Sequence, residues 1–411
     1  MASSVDNSLG LYFSVPFCRS KCTYCNFASG VYPASNHALY VDRVVEELSG
    51  ASAWAAGMQV ELPRLVDTVY FGGGTPVLLA PELITQIFAA IRDRFDLTPD
   101  AEITVECAPG QLSDAVLEAM VAAGVNRVSL GVQSFIDREA SLSGRLHTRA
   151  KVLEDLRRLR EAGITNLNLD LLAGLGEQTL DSWRESVSVL IDTEAPHASV
   201  YMLEIDEDSR LGRELISGGA RYSAGLVPND DAIARMYEEA VVAFVSAGLK
   251  QYEISNFALA GAESKHNLRY WQRRAYLGLG LDASSMLRSS DGSVLRATTT
   301  DDLSAYLKGD YRHETSWHGP AQQFEETWFL GLRRNAGVEI AALRAEFGDD
   351  AVEPAMAVVH RLMEDGLLSV EGGRVCLTQR GRLISNDVFA EFLGLNSVDD
   401  LEPDAVAADT I

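Results

Sequence analysis

Leu11-Tyr12-Phe13-Ser14-Val15-Pro16-Phe17-Cys18-Arg19-Ser20-Lys21-Cys22-Thr23-Tyr24-Cys25-Asn26-Phe27 decides how the rest of this chain is read. The apolar run over 11–15 reads as a strand ending in Val15-Pro16-Phe17, and three cysteines follow it directly in Cys-x3-Cys-x2-Cys spacing. Four thiolates would satisfy every iron of a [4Fe–4S] cube, so three leave one iron free to bind something other than protein. Zinc is the bland alternative, but zinc sites usually draw their ligands as two pairs, and no second pair follows. Cys107 and Cys376 have no cysteine neighbour, which argues against a disulfide framework. Three unconnected buried thiols are the remaining reading, and the spacing favours an open-iron cluster over it. Tyr12, Pro16, Phe17 and Phe27 would wall the cluster with apolar or aromatic surface and so tune its potential. The backbone of Tyr24, just before the last cysteine, is placed to approach a bound ligand.

With 411 residues, 47% of them hydrophobic, the chain can bury a large core and form one large and one small domain. No apolar run approaches the ~20 residues that span a bilayer, so an integral membrane protein is not expected. The start, Met1-Ala2-Ser3-Ser4-Val5-Asp6, lacks a positive segment followed by an apolar one, so no secretory signal is expected. Reduced cysteines and an oxygen-sensitive cluster then point to the cytoplasm. A formal charge of −24 opposes general nucleic-acid binding, because phosphates need Lys and Arg counter-charges.

From Leu11 to about Leu203 short apolar strands alternate with amphipathic helices. Strands are predicted over 11–15, 67–71, 102–106, 127–132, 166–171 and 198–203. The helical stripes between them include Val41, Val44, Val45, Leu48, then Leu83, Ile84, Ile87, Phe88, Ile91, then Val152, Leu153, Leu156, Leu159. Repeated β–α units imply right-handed crossovers and a parallel sheet, either a partial barrel or an open doubly wound sheet. In both, a ligand site forms at the C-terminal ends of the strands. A further helix is expected around Ile233, Met236, Tyr237, Ala240 and Phe244. Beyond about Pro320 a stripe at Ala355, Val358, Val359 and Leu362 precedes two short apolar runs around Gly372-Gly373, which read as a β-hairpin. Helices followed by such a hairpin suggest a winged-helix-like domain, for which the net acidity favours a packing or interaction role over DNA binding. The predicted organisation is a flexible segment 1–10, a barrel 11–225, an extension 226–319, a C-terminal domain 320–397 and a frayed tail 398–411.

Most of the chemistry-bearing residues fall just after predicted strands. Gly72-Gly73-Gly74-Thr75-Pro76 removes three Cβ atoms, letting backbone groups approach a ligand closely. Glu106 offers a carboxylate for an ammonium or ribose hydroxyls, and Gln133 a two-sided amide. Asp170 is a second strand-end carboxylate, and the fork of Arg145 suits a carboxylate. Each alone is more often a cap or a surface group. In His266-Asn267-Leu268-Arg269-Tyr270-Trp271 an imidazole that can ligate iron lies beside two flat rings that can stack on a porphyrin. The glycines of 276–285 suit either a ligand or tight packing.

These motifs, in this order, resemble the radical S-adenosylmethionine (SAM) proteins, in the branch of oxygen-independent coproporphyrinogen oxidases and HemW-type heme chaperones. The resemblance implies a partial (β/α)6 radical SAM barrel with a C-terminal winged-helix-like domain. It implies a [4Fe–4S] cluster on Cys18, Cys22 and Cys25, its free iron chelated by SAM, which an electron then cleaves to a 5′-deoxyadenosyl radical. Tyr12, Tyr24, Gly73, Gly74, Thr75, Glu106, Gln133, Arg145 and Asp170 carry over as SAM contacts. His266, Asn267, Tyr270 and Trp271 match the heme-binding segment of the chaperones. The oxidases carry a further cysteine where this chain has Phe27, and a longer extension than the seventeen residues before Cys18. The resemblance therefore points to a heme chaperone that takes heme as cargo, passes it to acceptor proteins and draws on an electron donor. An oxidase-like enzyme, or a radical enzyme acting on another tetrapyrrole, is the alternative. Ser14 and Ser284 stand where the family commonly has histidines, which touches radical chemistry or a heme contact from the barrel rather than the cluster.

Overall fold

The computed structural model describes residues 8–395, apart from 208, 220, 223 and 312. The expectations for 1–7 and for 398–411 lie outside the described residues. The chain divides into two compact units, Met1–Trp317 and His318–Ile411.

In the first unit six parallel strands alternate with helices. They are β1 (Ser8–Val15), β2 (Leu65–Gly73), β3 (Asp96–Cys107), β4 (Arg127–Gln133), β5 (Asn166–Ala173) and β6 (His197–Met202). The helices are α1 (Ser35–Gly57), α2 (Pro81–Arg94), α3 (Asp114–Ala123), α4 (Asp137–Leu142), α5 (Arg149–Glu161) and α6 (Leu180–Asp192). Neighbouring strands pair in parallel from β1 to β6. β1 begins at Ser8, so 8–10 of the segment expected to be flexible belong to the sheet.

Alternation along each strand explains the fold. Leu9, Leu11, Phe13 and Val15 are at most 1% exposed and face the helices. Phe13 stacks on Phe71 at 4.6 Å, and Phe71 packs on Phe88 of α2 at 5.2 Å. The intervening residues are polar: Thr68 and Tyr70, Thr104 and Glu106, Arg127 and Ser129, Asn168 and Asp170, His197 and Ser199. They bond to one another across strands, Asn168 to Ser129 at 2.8 Å and Ser199 to Asn168 at 3.1 Å, so they share the concave face. A period of two with polar residues on one face gives a barrel whose interior is hydrophilic rather than an oily core. Local signals close the helices: Ser113 caps α3, Gly124 ends it with φ +86°, and Thr179 with Ser182 forms a capping box on α6.

Six further strands follow: β7 (Lys250–Gln251), β8 (Asn256–Ala258), β9 (Tyr276–Gly280), β10 (Ser284–Arg288), β11 (Val294–Thr298) and β12 (Glu314–His318). Among the described residues the sheet runs β12-β11-β10-β9-β1-β2-β3-β4-β5-β6-β8-β7. β6 is followed by β8, not by β1, so the barrel is partial. The glycine-rich run 276–285 is largely strand, because β9 adds a seventh parallel neighbour beside β1. Its glycines serve packing: a Cβ at Gly278 would lie 2.2 Å from the Ser284 carbonyl oxygen, and one at Gly280 2.4 Å from Tyr40 Oη. Four more helices follow in this unit: α7 (Arg210–Ser217), α8 (Asp230–Ser246), α9 (Lys265–Trp271) and α10 (Leu303–Leu307).

The second unit has helices Pro320–Arg333, Ile340–Phe347 and Asp349–Glu364, then the hairpin Leu368–Glu371 with Arg374–Leu377. Gly372 and Gly373 turn the hairpin with φ of +58° and +79°, the pair of positive values that a two-residue turn of this hand requires. Val338–Glu339 adds a third antiparallel strand. Trp328 stacks on Phe392 at 4.4 Å in a core that also holds Phe324 and Phe347. Helices against a three-stranded antiparallel sheet make this the expected winged-helix-like domain. Among the described residues no helix is long and apolar enough to cross a membrane.

Candidate functional site at the strand ends

The cysteine loop is pinned before any ligand is considered. Cys18 N donates to the Gly30 carbonyl at 2.9 Å and Gly30 N to the Pro16 carbonyl at 2.9 Å. Thr23 N donates to the Ser143 carbonyl at 3.0 Å, and Lys21 Nζ ties back to the Phe27 and Ser29 carbonyls. Gly144, at φ +89°, allows this docking, since its Cβ would sit 3.3 Å from the Cys22 Cα. The glycine segment is fixed likewise: Gly74 N donates to the Val15 carbonyl and Thr75 N to that of Phe17, both at 2.7 Å. A Cβ at Gly74 would meet those same two oxygens at 2.7 Å, so only glycine lets β2's end fold over the cysteine loop.

A cavity of about 420 Å³ opens at these strand ends, a size suited to a nucleoside-sized ligand. Cys18, Cys22 and Cys25 line it together with Tyr24, Gly73, Gly74, Thr75, Glu106, Gln133, Arg145 and Asp170. Of the expected SAM contacts, Tyr12 alone is absent from the lining; it lies deeper, its ring 6.1 Å from Tyr70 and 6.3 Å from His266. All three thiols are free, and burial followed by the nearby Cys25 and Cys22 holds the Cys18 thiol above the ordinary range. Among the described residues no three His, Cys, Asp or Glu side chains converge on a single ion position. The thiols instead line the cavity as separate ligands would for a larger cluster. Cys107 also borders the cavity, and burial raises its thiol above the ordinary range.

Several polar groups in the cavity have unmet hydrogen bonds. Arg145 Nε and Gln111 Oε1 are buried with no partner among the described residues. Arg145 does donate through Nη2 to Tyr24 Oη at 3.2 Å. Burial pushes the Glu106 carboxyl up to about 7, assisted by Asp170 and opposed by the hydrogen bond that Tyr70 Oη donates at 2.9 Å. Asp170 is raised for the same reason, despite bonds from Asn168 at 2.6 Å and Ser129 at 3.2 Å. Gln133 holds φ +67°, a strained conformation for a residue with a Cβ, at the turn out of β4. Three thiols, two carboxylates, one guanidinium and a glycine cradle fit a cluster with an amino-acid nucleoside bound beside it.

The His-Asn segment is placed elsewhere. α9 docks near the N-terminal ends of β1–β3, opposite the cavity. Glu102 caps it, accepting from Lys265 N and His266 N at 3.0 Å each. Arg269, fully buried, pairs with Asp67 and donates to the Ala275 carbonyl at 2.7 Å. His266 is 1% exposed, with Nδ1 2.9 Å from Thr68 Oγ1 and Nε2 2.8 Å from Tyr270 Oη. Burial pushes its imidazole down to about 3, so it is neutral, one nitrogen donating and the other accepting. Tyr270 packs edge-on against Tyr276 at 4.6 Å rather than presenting a free face, while Asn267 and Trp271 are half-buried. The four expected heme residues therefore share one helix, yet this conformation does not expose them as an open porphyrin platform. Ser14 lies beside Gly73, and Ser284 is exposed and bonded to Thr298 at 3.2 Å.

Residues 12–190 match the Radical SAM superfamily and residues 320–384 the HemN C-terminal domain. The heme chaperone HemW of Lactococcus lactis is 32% identical over 93% of this chain and 96% of its own. That of Bacillus subtilis is 33% identical over 93% and 98%. This chain belongs to the HemW family of radical SAM proteins. Coproporphyrinogen III oxidase from Escherichia coli, a radical SAM enzyme, shares the fold with a TM-score of 0.79 at 22% identity, over 95% of this chain and 91% of that one.

The cysteine, glycine and strand-end motifs thus converge at one end of the barrel, and the His-Asn segment does not join them. Gln111, Ser129, His147 and Tyr201 line the same cavity and were not singled out from sequence. The signal for Ser129 was present as polar alternation along the strand. Gln111 and His147 lie in loops, where no periodicity marks them.

Proposed function

We propose that this HemW-family chain is a heme chaperone that holds a [4Fe–4S] cluster on Cys18, Cys22 and Cys25, binds SAM beside it, and passes heme to acceptor proteins. One observation carries the cofactor half: the three thiols line a single cavity with the glycine cradle and the unmet donors and acceptors of Arg145 and Gln111. The cluster and SAM, when bound, would supply one-electron chemistry at this end of the barrel. Gly73, Gly74 and Thr75 would seat the amino-acid end of SAM against backbone groups. Glu106 and Asp170 would accept from its ammonium or ribose, and Gln133 and Arg145 would fix its carboxylate or sugar. Phe27, 59% exposed at the cavity edge, stands where the oxidases carry a cysteine, and this supports a chaperone over an oxidase.

For heme, His266 sets a condition. Ligation to iron requires Thr68 or Tyr270 to release a ring nitrogen, so loading displaces α9 from its resting contacts. A cytoplasmic protein served by an electron donor accords with this reading. Anaerobic incubation with heme, coproporphyrinogen and SAM, followed by porphyrin analysis, tests it. Unmodified, tightly held heme is the expected outcome; protoporphyrinogen formation would replace the chaperone with an oxidase.

A further inference from the structure

We infer that Tyr70 is a positioning residue shared by both proposed sites, so that filling the cavity is felt at His266. The inference rests on the reading above, in which SAM contacts Glu106 and heme contacts His266.

Tyr70 lies midway along β2 with its two ends engaged differently. Its hydroxyl donates to Glu106 Oε1 at 2.9 Å, inside the cavity lining. Its ring stacks on the His266 imidazole with centroids 5.2 Å apart and planes 29° from parallel. Two residues earlier on the same face of the same strand, Thr68 holds His266 Nδ1 at 2.9 Å. Tyr12 flanks both rings at 6.1 and 6.3 Å, which closes the stack from β1. Two residues later, Gly72 makes room for the pair: a Cβ there would stand 3.0 Å from Glu106 Oε1 and 3.1 Å from Tyr70 Cε1.

The consequence is mechanical. When Glu106 turns toward a bound ammonium or hydroxyl, it draws the Tyr70 hydroxyl with it or releases it, and either outcome changes what holds the Tyr70 ring. His266 is stacked on that ring, so its packing changes with the ring's hold, because buried aromatic contacts have little slack. The same argument runs backward: drawing His266 out toward iron frees the Tyr70 ring and loosens the hold on Glu106. Linkage of this kind is reciprocal.

The experiment uses full-length chain with the cluster reconstituted anaerobically. SAM affinity is read from the spectrum of the reduced cluster, and heme affinity from absorbance titration with and without saturating SAM. In the unaltered chain SAM is expected to change heme affinity by at least about fivefold. Tyr70→Phe keeps the ring and removes the hydroxyl; SAM affinity should rise about 5- to 20-fold, because Glu106 no longer gives up that bond on binding. The effect of SAM on heme affinity should shrink below about twofold in this variant. A merely structural role would alter thermal stability without erasing that dependence. If SAM leaves heme affinity unchanged in the native chain, or if Tyr70→Phe retains the full effect, the linkage is wrong. His266→Ala separates the two readings. Weakened heme binding there, with no SAM effect in the native chain, overturns the linkage alone; unchanged heme binding overturns the His266 assignment and the linkage with it.

Discussion

The two ends of this barrel are both polar, but one opens on a cavity and the other is filled by a docked helix. At the C-terminal ends of the strands Arg145 Nε and Gln111 Oε1 are buried without partners beside a 420 Å³ cavity. At the N-terminal ends His266 uses both ring nitrogens and Glu102 caps α9, while Arg269 pairs with Asp67. Unmet polar groups are costly unless something outside the protein satisfies them, and at the first end the cavity leaves room for such a partner. The first end has room for a ligand beside those groups. The second is occupied by α9.

The largest expected effect tests the open end. Cys22→Ala should remove the cluster altogether, with iron and sulfide falling from about four each per chain to near zero after anaerobic reconstitution. Full incorporation would mean that the trio is not the ligand set. The shut end should answer with stability instead. Asp67→Ala strips the carboxylate from a fully buried Arg269, and about 3–5 kcal/mol should be lost in denaturant unfolding. A loss below about 1 kcal/mol would show that the network contributes little there.

Titration sharpens the contrast at one group from each end, because the shifts of Glu106 and His266 have opposite signs. Glu106 is raised from 4.5 to about 7 by burial, so its contribution is fully present below pH 4.5 and is lost as pH rises through 7. Glu106→Gln should therefore gain about 1–3 kcal/mol in ligand-free protein at pH 8 and flatten the curve between pH 5 and 8, while SAM affinity drops. His266 is lowered from 6.5 to about 3, so stability is fully present above pH 6.5 and lost as pH falls toward 3. By this linkage His266 should contribute a loss of about 2 kcal/mol at pH 5, which His266→Gln removes while the losses from the buried His147 and His197 remain. Unfolding curves across pH check both, and a shared sign would break the comparison. The smallest effect belongs to Ser264, whose Oγ accepts from Asn267 N at 3.3 Å. Ser264→Ala should cost about 1 kcal/mol through the lost cap, seen as a modest shift in midpoint.

The open end was largely legible in the chain. Cys18, Cys22 and Cys25 are close in sequence, Gly73, Glu106 and Gln133 sit at or next to a strand end and Asp170 three residues before one, so local pattern plus one topological rule brings them together. Tyr12 falls outside the cavity lining, because a residue near the cysteines in sequence can still lie a layer deeper in the barrel. Tyr70 was legible only as one more residue of a strand, since nothing local says what its hydroxyl reaches. The segment 276–285 was ambiguous for a similar reason: glycines give the same signal whether they admit a ligand or a neighbouring strand.

Sequence alone determined the alternation of strand and helix, the thiol triad and the hairpin at Gly372-Gly373, because each depends on neighbours a few residues apart. Tertiary structure alone decided that His266 faces inward. Its partners Thr68 and Glu102 lie 198 and 164 residues away, a separation at which no periodicity or spacing carries information. Only the folded sheet, by setting β2 and β3 side by side, converts that helix from a candidate iron-binding surface into the closed floor of the barrel.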